Sequence, residues 1–237
     1  MAYKPILFNT EMVQAIQTGR KTQTRRIIKP QPAFANSELG TPLKCNDGTY
    51  TFRVAPYKHV YEGNYKPPCE PGDILWVRET WRPAKGTMHT YIHGEITESE
   101  DWHDGYEYRA GGYSFHDGFK ESSDDYHLSE IRSGGSWKPS IHMPKEAARI
   151  FLRVKDVRVE RLQDMRLEDC LAEGVRLSAA VENDLVRAPI RAREWFSQVW
   201  DSTIRPEDLD VYGWNADPWV WVIEFERCDR PEGGPNV

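Results

Sequence analysis

Residues 4–29 read KPILFNTEMVQAIQTGRKTQTRRIIK, and the fold class turns on how this stretch is parsed. Lys4 to Phe8 is a short apolar strand. Asn9 or Thr10 can cap a helix that runs through Met12, Val13 and Ile16. Gly19 ends it at the usual place for a left-handed residue. Thr22 to Lys29 is rich in β-branched residues and reads as a returning strand. The same pattern extends outward. Pro71-Gly72-Asp73 is a turn, and Ile74 to Trp81 alternates as a strand. Ala147 to Leu162 gives one long strand or two, with Ile150, Leu152 and Val154 on one face. Leu167 to Ala172 is a short helix closed by Gly174. Arg191 to Trp200 is a longer helix, with Phe196, Val199 and Trp200 at helical spacing, and Trp219 to Phe225 is a closing strand. Strands and helices alternate too sparsely for a doubly wound parallel sheet. The expectation is an α+β domain over 1–237, a small bent sheet or open barrel with flanking helices.

Two segments interrupt this body. Residues 30–70 are irregular, with six prolines and a few short strands such as Tyr50 to Val54. Residues 82–136 hold 8 of the 17 glycines and 5 of the 7 histidines, with 11 acidic and 5 basic side chains. Turn clusters such as Gly111-Gly112 and aromatic alternations such as Tyr106-Glu107-Tyr108 predict small hairpins in a long polar insertion outside the main sheet.

Composition bounds the function. With 39% hydrophobic residues and nine tryptophans, the 237-residue chain can bury a core. No run approaches the roughly 18 apolar residues of a membrane span, and the N-terminus has too short an apolar run for a signal peptide. The four cysteines form no CxxC pair, which argues against a zinc ribbon or disulfide scaffold and for a reducing cytoplasm. No histidine cluster has the spacing of a metal site, so neither metal nor cofactor is expected. The net charge of -6 looks wrong for a nucleic-acid binder, yet residues 82–136 carry all of that excess and the remainder is neutral.

The sharpest cationic cluster is Arg20, Lys21, Arg25, Arg26 and Lys29, five cations within ten residues and no acid among them. At a helix-to-strand turn such a run is either a solvated edge or a surface facing a phosphate or base edge.

Gly19-Arg20-Lys21-Thr22-Gln23-Thr24-Arg25-Arg26 resembles the ASCH family of the PUA-like superfamily. Gly72-Asp73-Ile74-Leu75-Trp76-Val77-Arg78-Glu79, Leu171-Ala172-Glu173-Gly174-Val175 and Trp219 to Phe225 are similar in turn, and the block Trp137 to Lys145 resembles the longer members of bacteriophages and prophages. The resemblance implies a PUA-type β-barrel whose cleft receives RNA or a modified nucleoside. It also implies, from small members that hydrolyse N4-acetylcytidine, catalytic roles for Lys21, Thr24 and Glu173. Amide hydrolysis needs a nucleophile, a base and an oxyanion donor. Thr24 can supply the oxygen, Lys21 the base if desolvation lowers its pKa, and Glu173 can orient the lysine or handle a proton at the leaving amine. In a regular strand Lys21 and Thr24 face opposite sides, so they converge only if the chain bends near Lys21.

Further binding candidates are Trp137, Lys138, Ser140, His142 and Lys145, which set stacking and cationic groups on a path fixed by two prolines. Trp76, Arg78 and Glu79 complete the set. Alternation puts Trp76 and Arg78 on one face and Glu79 with Trp81 on the other, and Glu79 is expected to pair with Arg25 or Arg26. Three functions follow: an amidohydrolase of N4-acylated cytidine or a related nucleoside, an RNA- or DNA-binding module without turnover, or a ribonuclease. The last lacks a carboxylate cluster for metal.

Overall fold

The computed structural model describes residues 1–32, 40–54, 61–92, 95–98, 102–115 and 126–230. Its elements run β1 (Tyr3–Leu7), α1 (Thr10–Gln17), β2 (Gln23–Ile27), β3 (Gly40–Lys44), β4 (Tyr50–Val54), β5 (Tyr61–Tyr65), β6 (Ile74–Arg78), β7 (Trp81–Ile92), β8 (Glu95–Glu98), β9 (His103–Tyr108), β10 (Tyr113–Phe115) and β11 (Tyr126–Ser133). There follow β12 (Phe151–Arg161), α2 (Leu167–Ala172), α3 (Ala179–Glu182), α4 (Arg187–Ser202), α5 (Leu209–Tyr212) and β13 (Trp219–Cys228). Strands dominate, in several sheets, with a few helices. Among the described residues none of the sheets closes into a barrel. No helix is long and apolar enough to cross a membrane.

The chain divides into two compact units, the first comprising Met1–Ala2, Ala15–Asp73 and Arg153–Glu226, the second Tyr3–Gln14, Ile74–Leu152 and Arg227–Val237. In the first, β2 pairs antiparallel with β13, placing Thr24 opposite Ile223 and Arg26 opposite Trp221. The meander β3-β4-β5 is also antiparallel. Its aromatic side chains meet β13, Tyr50 edge-on to Trp221 and Phe52 against Trp219. The stretch 30–70, read as irregular with a few short strands, holds this three-stranded sheet, and the strand read over Tyr50 to Val54 is β4. A buried cluster of Leu162, Met165, Cys170, Phe196, Trp200, Val220 and Val222 joins α2 and α4 to β13.

In the second unit β1 and β6 run parallel, with Ile6 opposite Val77. Residues 82–136 lie mainly in a separate antiparallel sheet of order β10-β9-β7-β11, with β8 also on β7. Small hairpins were expected; instead β7 runs for 12 residues. Pro83 and Gly86 hide that length from a propensity reading, yet both are accommodated. Pro83 pairs with Tyr106 on β9, and the pairing of β11 begins one residue later, at Ala84, so the missing proline N–H is not needed on that side. Trp81, Tyr106, Tyr108, Met143, Ala147 and Phe151 form the unit's core.

Candidate functional site

The described residues bury seven polar or charged side chains, Lys21, Gln23, Thr24, Arg25, Asp73, Glu79 and Glu173. Four of these, Lys21, Gln23, Arg25 and Glu173, belong to one cluster in the first unit. Buried charge is tolerated only when paired, so the cluster's wiring decides what it can do.

Local sequence places each part. Asn9 caps α1, its Oδ1 accepting from the Met12 N–H at 2.8 Å. Gly19 takes φ 74° after the last turn, and the N–H groups of Arg20 and Lys21 both return to the Ala15 carbonyl. That turn swings Lys21 inward before β2 begins at Gln23, and Lys21 forms an isolated antiparallel bridge with Glu173. The approach is close. Gly174, at φ 99°, has no room for a side chain, because a Cβ there would sit 3.0 Å from Ala15 Cβ and 3.3 Å from Lys21 Cβ. The helix α2 presents Glu173 from its C-terminal end, and Asp169 at its third position accepts from the Arg166 N–H at 2.9 Å.

Lys21 Nζ donates to Glu173 Oε2 at 2.6 Å and to the Glu173 carbonyl at 3.0 Å, although the two residues are 152 apart in sequence. Both are sealed, at 2% and 6% exposure. Glu173 Oε1 accepts from Arg25 Nη1 at 3.3 Å. Arg25 Nη2 reaches Glu160 at 3.2 Å and lies 3.6 Å from Asp169. Arg158 joins Glu160, Asp169 and Glu224, and Gln23 donates to Asp169 at 3.2 Å. Four cations, counting Arg26, thus face four carboxylates. Within the cationic run that looks unbalanced in sequence, Lys21 and Arg25 are answered by acids from 135 to 152 residues away. Arg25, expected to face a ligand, is buried with its Nη1 on Glu173 and its Nη2 between Glu160 and Asp169, while its Nε has no hydrogen-bond partner.

Burial lowers the Lys21 pKa from the usual lysine value. Glu173 opposes that shift, and the neighbouring Arg26 and Arg25 add to it. Arg26 lies within the field of Glu173 and Cys69, and burial lowers its pKa too. For Asp169 burial works against ionisation, but the Arg166 N–H, Arg25, Gln23 and Arg158 prevail and hold it below its usual value. A lysine so depressed can accept a proton closer to neutrality than a surface lysine.

Thr24 is buried in β2. Gln23 and Arg25 share one face of the strand, since both approach Asp169. By alternation Thr24 shares the other with Arg26. Arg20 is half-buried, its Nη1 donating to the Gly174 carbonyl at 2.9 Å.

The remaining candidates lie in the second unit. Glu79 does not pair with Arg25 or Arg26. Its carboxylate takes a two-pronged bond from Arg149, Nε to Oε1 and Nη2 to Oε2, both 2.9 Å. Arg149 stacks on Tyr108, 3.9 Å from the ring centre, and a Cβ at Gly112 would come within 2.8 Å of its Nη1. The alternation is as expected, with Trp76 and Arg78 half-buried and Glu79 and Trp81 buried. Arg78 lies over Trp76 at 5.5 Å. Trp137 is half-buried with Arg82 over its ring at 4.5 Å. Lys138 bridges to Trp81 through the backbone and places its ammonium 4.8 Å from that ring. Ser140 and His142 sit in one turn of 3-10 helix, His142 exposed, and Lys145 lies over Tyr3. His103 and His142 are described; the side chains of His89 and His127 and the whole of His59, His93 and His116 lie outside the described side chains. Among the described residues all four cysteines are free, and no group of acids, histidines and cysteines could hold a metal.

Sequence reasoning missed Gln23, Arg158, Glu160 and Asp169. Two local signals were available: the spacing of Arg158 and Glu160 on one strand face, and an aspartate at the third position of α2. No family model, curated protein or solved structure matches the chain.

Proposed function

We propose that the first unit carries an amidohydrolase site for N4-acylated cytidine or a related modified nucleoside, with Lys21 as the base, Thr24 as the nucleophile and Glu173 as the group that positions the lysine. One observation carries this reading, the buried 2.6 Å contact between Lys21 and Glu173. A nucleophilic hydroxyl needs a neutral amine nearby, and the Lys21 pKa is lowered in the required direction. In this scheme Lys21 takes the Thr24 proton as the oxygen attacks the acyl carbonyl. It returns the proton to the leaving amino group of cytosine, and water then releases the acid from Thr24. The reading entails a PUA-like arrangement of the strands around the site and needs no metal.

A second reading is favoured by the same cluster's balanced charge and deep burial, which suit a structural ion network in a non-catalytic RNA- or DNA-binding module. One experiment separates them. Purified protein is incubated with N4-acetylcytidine and cytidine release is followed by chromatography. The amidohydrolase reading expects turnover that Lys21→Ala and Thr24→Ala abolish while circular dichroism stays native. Absence of turnover on acylated nucleosides, with the wild type folded, leaves the binding module standing.

A further inference from the structure

The chain has nine tryptophans, and eight have an occupied ring. Trp76, Trp81, Trp102, Trp137, Trp214 and Trp219 each lie under a lysine or arginine. Trp200 stacks on Phe196 and Trp221 meets Tyr50. Trp195 alone has neither an aromatic nor a cationic partner among the described residues, and at 37% it is the most exposed of the nine. It sits on α4 with Arg191, Glu194 and Gln198, a helical face formed by residues three and four apart. That face lines an open pocket of about 340 Å³ whose other wall is Arg176, Leu177, Ser178 and Val181.

The polar lining sharpens the chemistry. Arg191 is bridged to Glu194 at 2.8 Å across the helix surface. Arg176 is exposed, and no carboxylate pairs with it among the described residues. The lining therefore carries one uncompensated positive charge beside one unoccupied indole, with Leu177 and Val181 supplying apolar contact. A planar π-system stacks on indole and an anionic group answers the guanidinium. The volume admits one such unit, not a long polymer.

We propose that this pocket binds one nucleotide of a short single-stranded nucleic acid, its base stacked on Trp195 and its phosphate on Arg176. The site is distinct from the Lys21–Glu173 cluster and does not depend on that cluster being catalytic. Apolar walls and an aromatic platform read bases without regard to sequence, as in other single-strand binders.

The test measures anisotropy of a fluorescent five-nucleotide oligoadenylate titrated with the full chain, with adenosine monophosphate and unlabelled deoxy-oligomer as competitors. Wild type binds, and the monophosphate competes at higher concentration. Trp195→Ala weakens binding about tenfold or more, whereas Trp195→Phe retains most of it. Arg176→Glu, a surface change that cannot disturb the core, weakens binding and lowers the salt slope by about 0.7. Competition by the deoxy-oligomer as strong as by RNA assigns the pocket to either strand type, and weaker competition assigns it to RNA. Binding that survives Arg176→Glu and Trp195→Ala unchanged, or a wild type that binds no oligomer, overturns the proposal.

Discussion

At the level of single residues, the cluster around Glu173 ranks its members by what each leaves behind. Removing Glu173 leaves the buried Lys21 ammonium without its carboxylate while Arg25 keeps Glu160 and Asp169, whereas removing Lys21 leaves Glu173 with Arg25. Breaking a buried pair so that charge is uncompensated costs about 3–5 kcal/mol. Glu173→Ala is therefore expected to lose about that much in urea unfolding, and Lys21→Met distinctly less. An equal loss in both variants would mean that Arg25 does not share the carboxylate. The same lysine gives a pH signature. Its folded pKa is lowered, so between that value and the ordinary ~10.4 of the unfolded chain the unfolded state holds a proton that the folded state lacks. Stability then gains from rising pH in that window. Compared with Lys21→Met at each pH, the wild type should improve as pH rises through that window, and a constant difference would rule out the shift. This residue-level arrangement was only partly legible. The pairing of Lys21 with Glu173 came from the family resemblance, because spacing alone does not connect residues 152 apart. Glu79 was assigned to the wrong arginine for the same reason: a strand pattern tells that a glutamate is buried, and not which of several distant cations it meets.

At the level of elements, the positions that were read well are those where local chemistry decides. Gly19 and Gly174 both ended helices as expected, and both take positive φ. They differ in surroundings, which makes a controlled comparison. A Cβ at Gly19 meets nothing within 4 Å, while one at Gly174 presses on Ala15 and Lys21. Gly19→Ala should cost about 1–2 kcal/mol, the backbone term alone. Gly174→Ala should cost more and also move Lys21 away from Glu173, so nuclear magnetic resonance of the Lys21 side chain should change in this variant only. The start of α4 shows the opposite case. The helix read over Arg191 to Trp200 starts at Arg187, with Pro189 inside its first turn. Proline is compatible with a first turn, and Asp184 caps that turn by accepting from the N–H groups of Val186 and Arg187 at 3.0 and 2.9 Å. The short helices α3 and α5 carry too few residues for a periodic signal and were not read.

At the level of the whole molecule, each compact unit holds a buried ion pair of its own, Lys21–Glu173 in the first and Glu79–Arg149 in the second. The composition break at residue 82 was legible, but the second unit also takes in β1 and β6, which local pattern assigned to the main body. That grouping depends on long-range strand pairing, which sequence periodicity does not encode. The second pair offers a test with a definite sign. Glu79 is 1% exposed, and burial raises its pKa while Arg149 opposes the rise. A carboxyl with a raised folded pKa favours the folded state at low pH, and that contribution is lost as pH rises through the raised value. Removing Arg149 takes away the opposing influence, so the window should extend further towards neutrality. Arg149→Ala is expected to cost about 3–5 kcal/mol at pH 8, where Glu79 must be buried as an unpaired anion. The cost should be distinctly smaller at pH 5, where the carboxyl can take up a proton. Glu79→Gln in the Arg149→Ala background should recover part of the loss at pH 8, because the amide needs no counter-charge. Hydrogen exchange should locate the damage in β6, β7 and β9, around the core that Trp81, Tyr106 and Tyr108 build, and spare β2 and β13. A loss that is the same at both pH values, and untouched by Glu79→Gln, would show that Arg149 acts through its packing on Tyr108 and not through its charge.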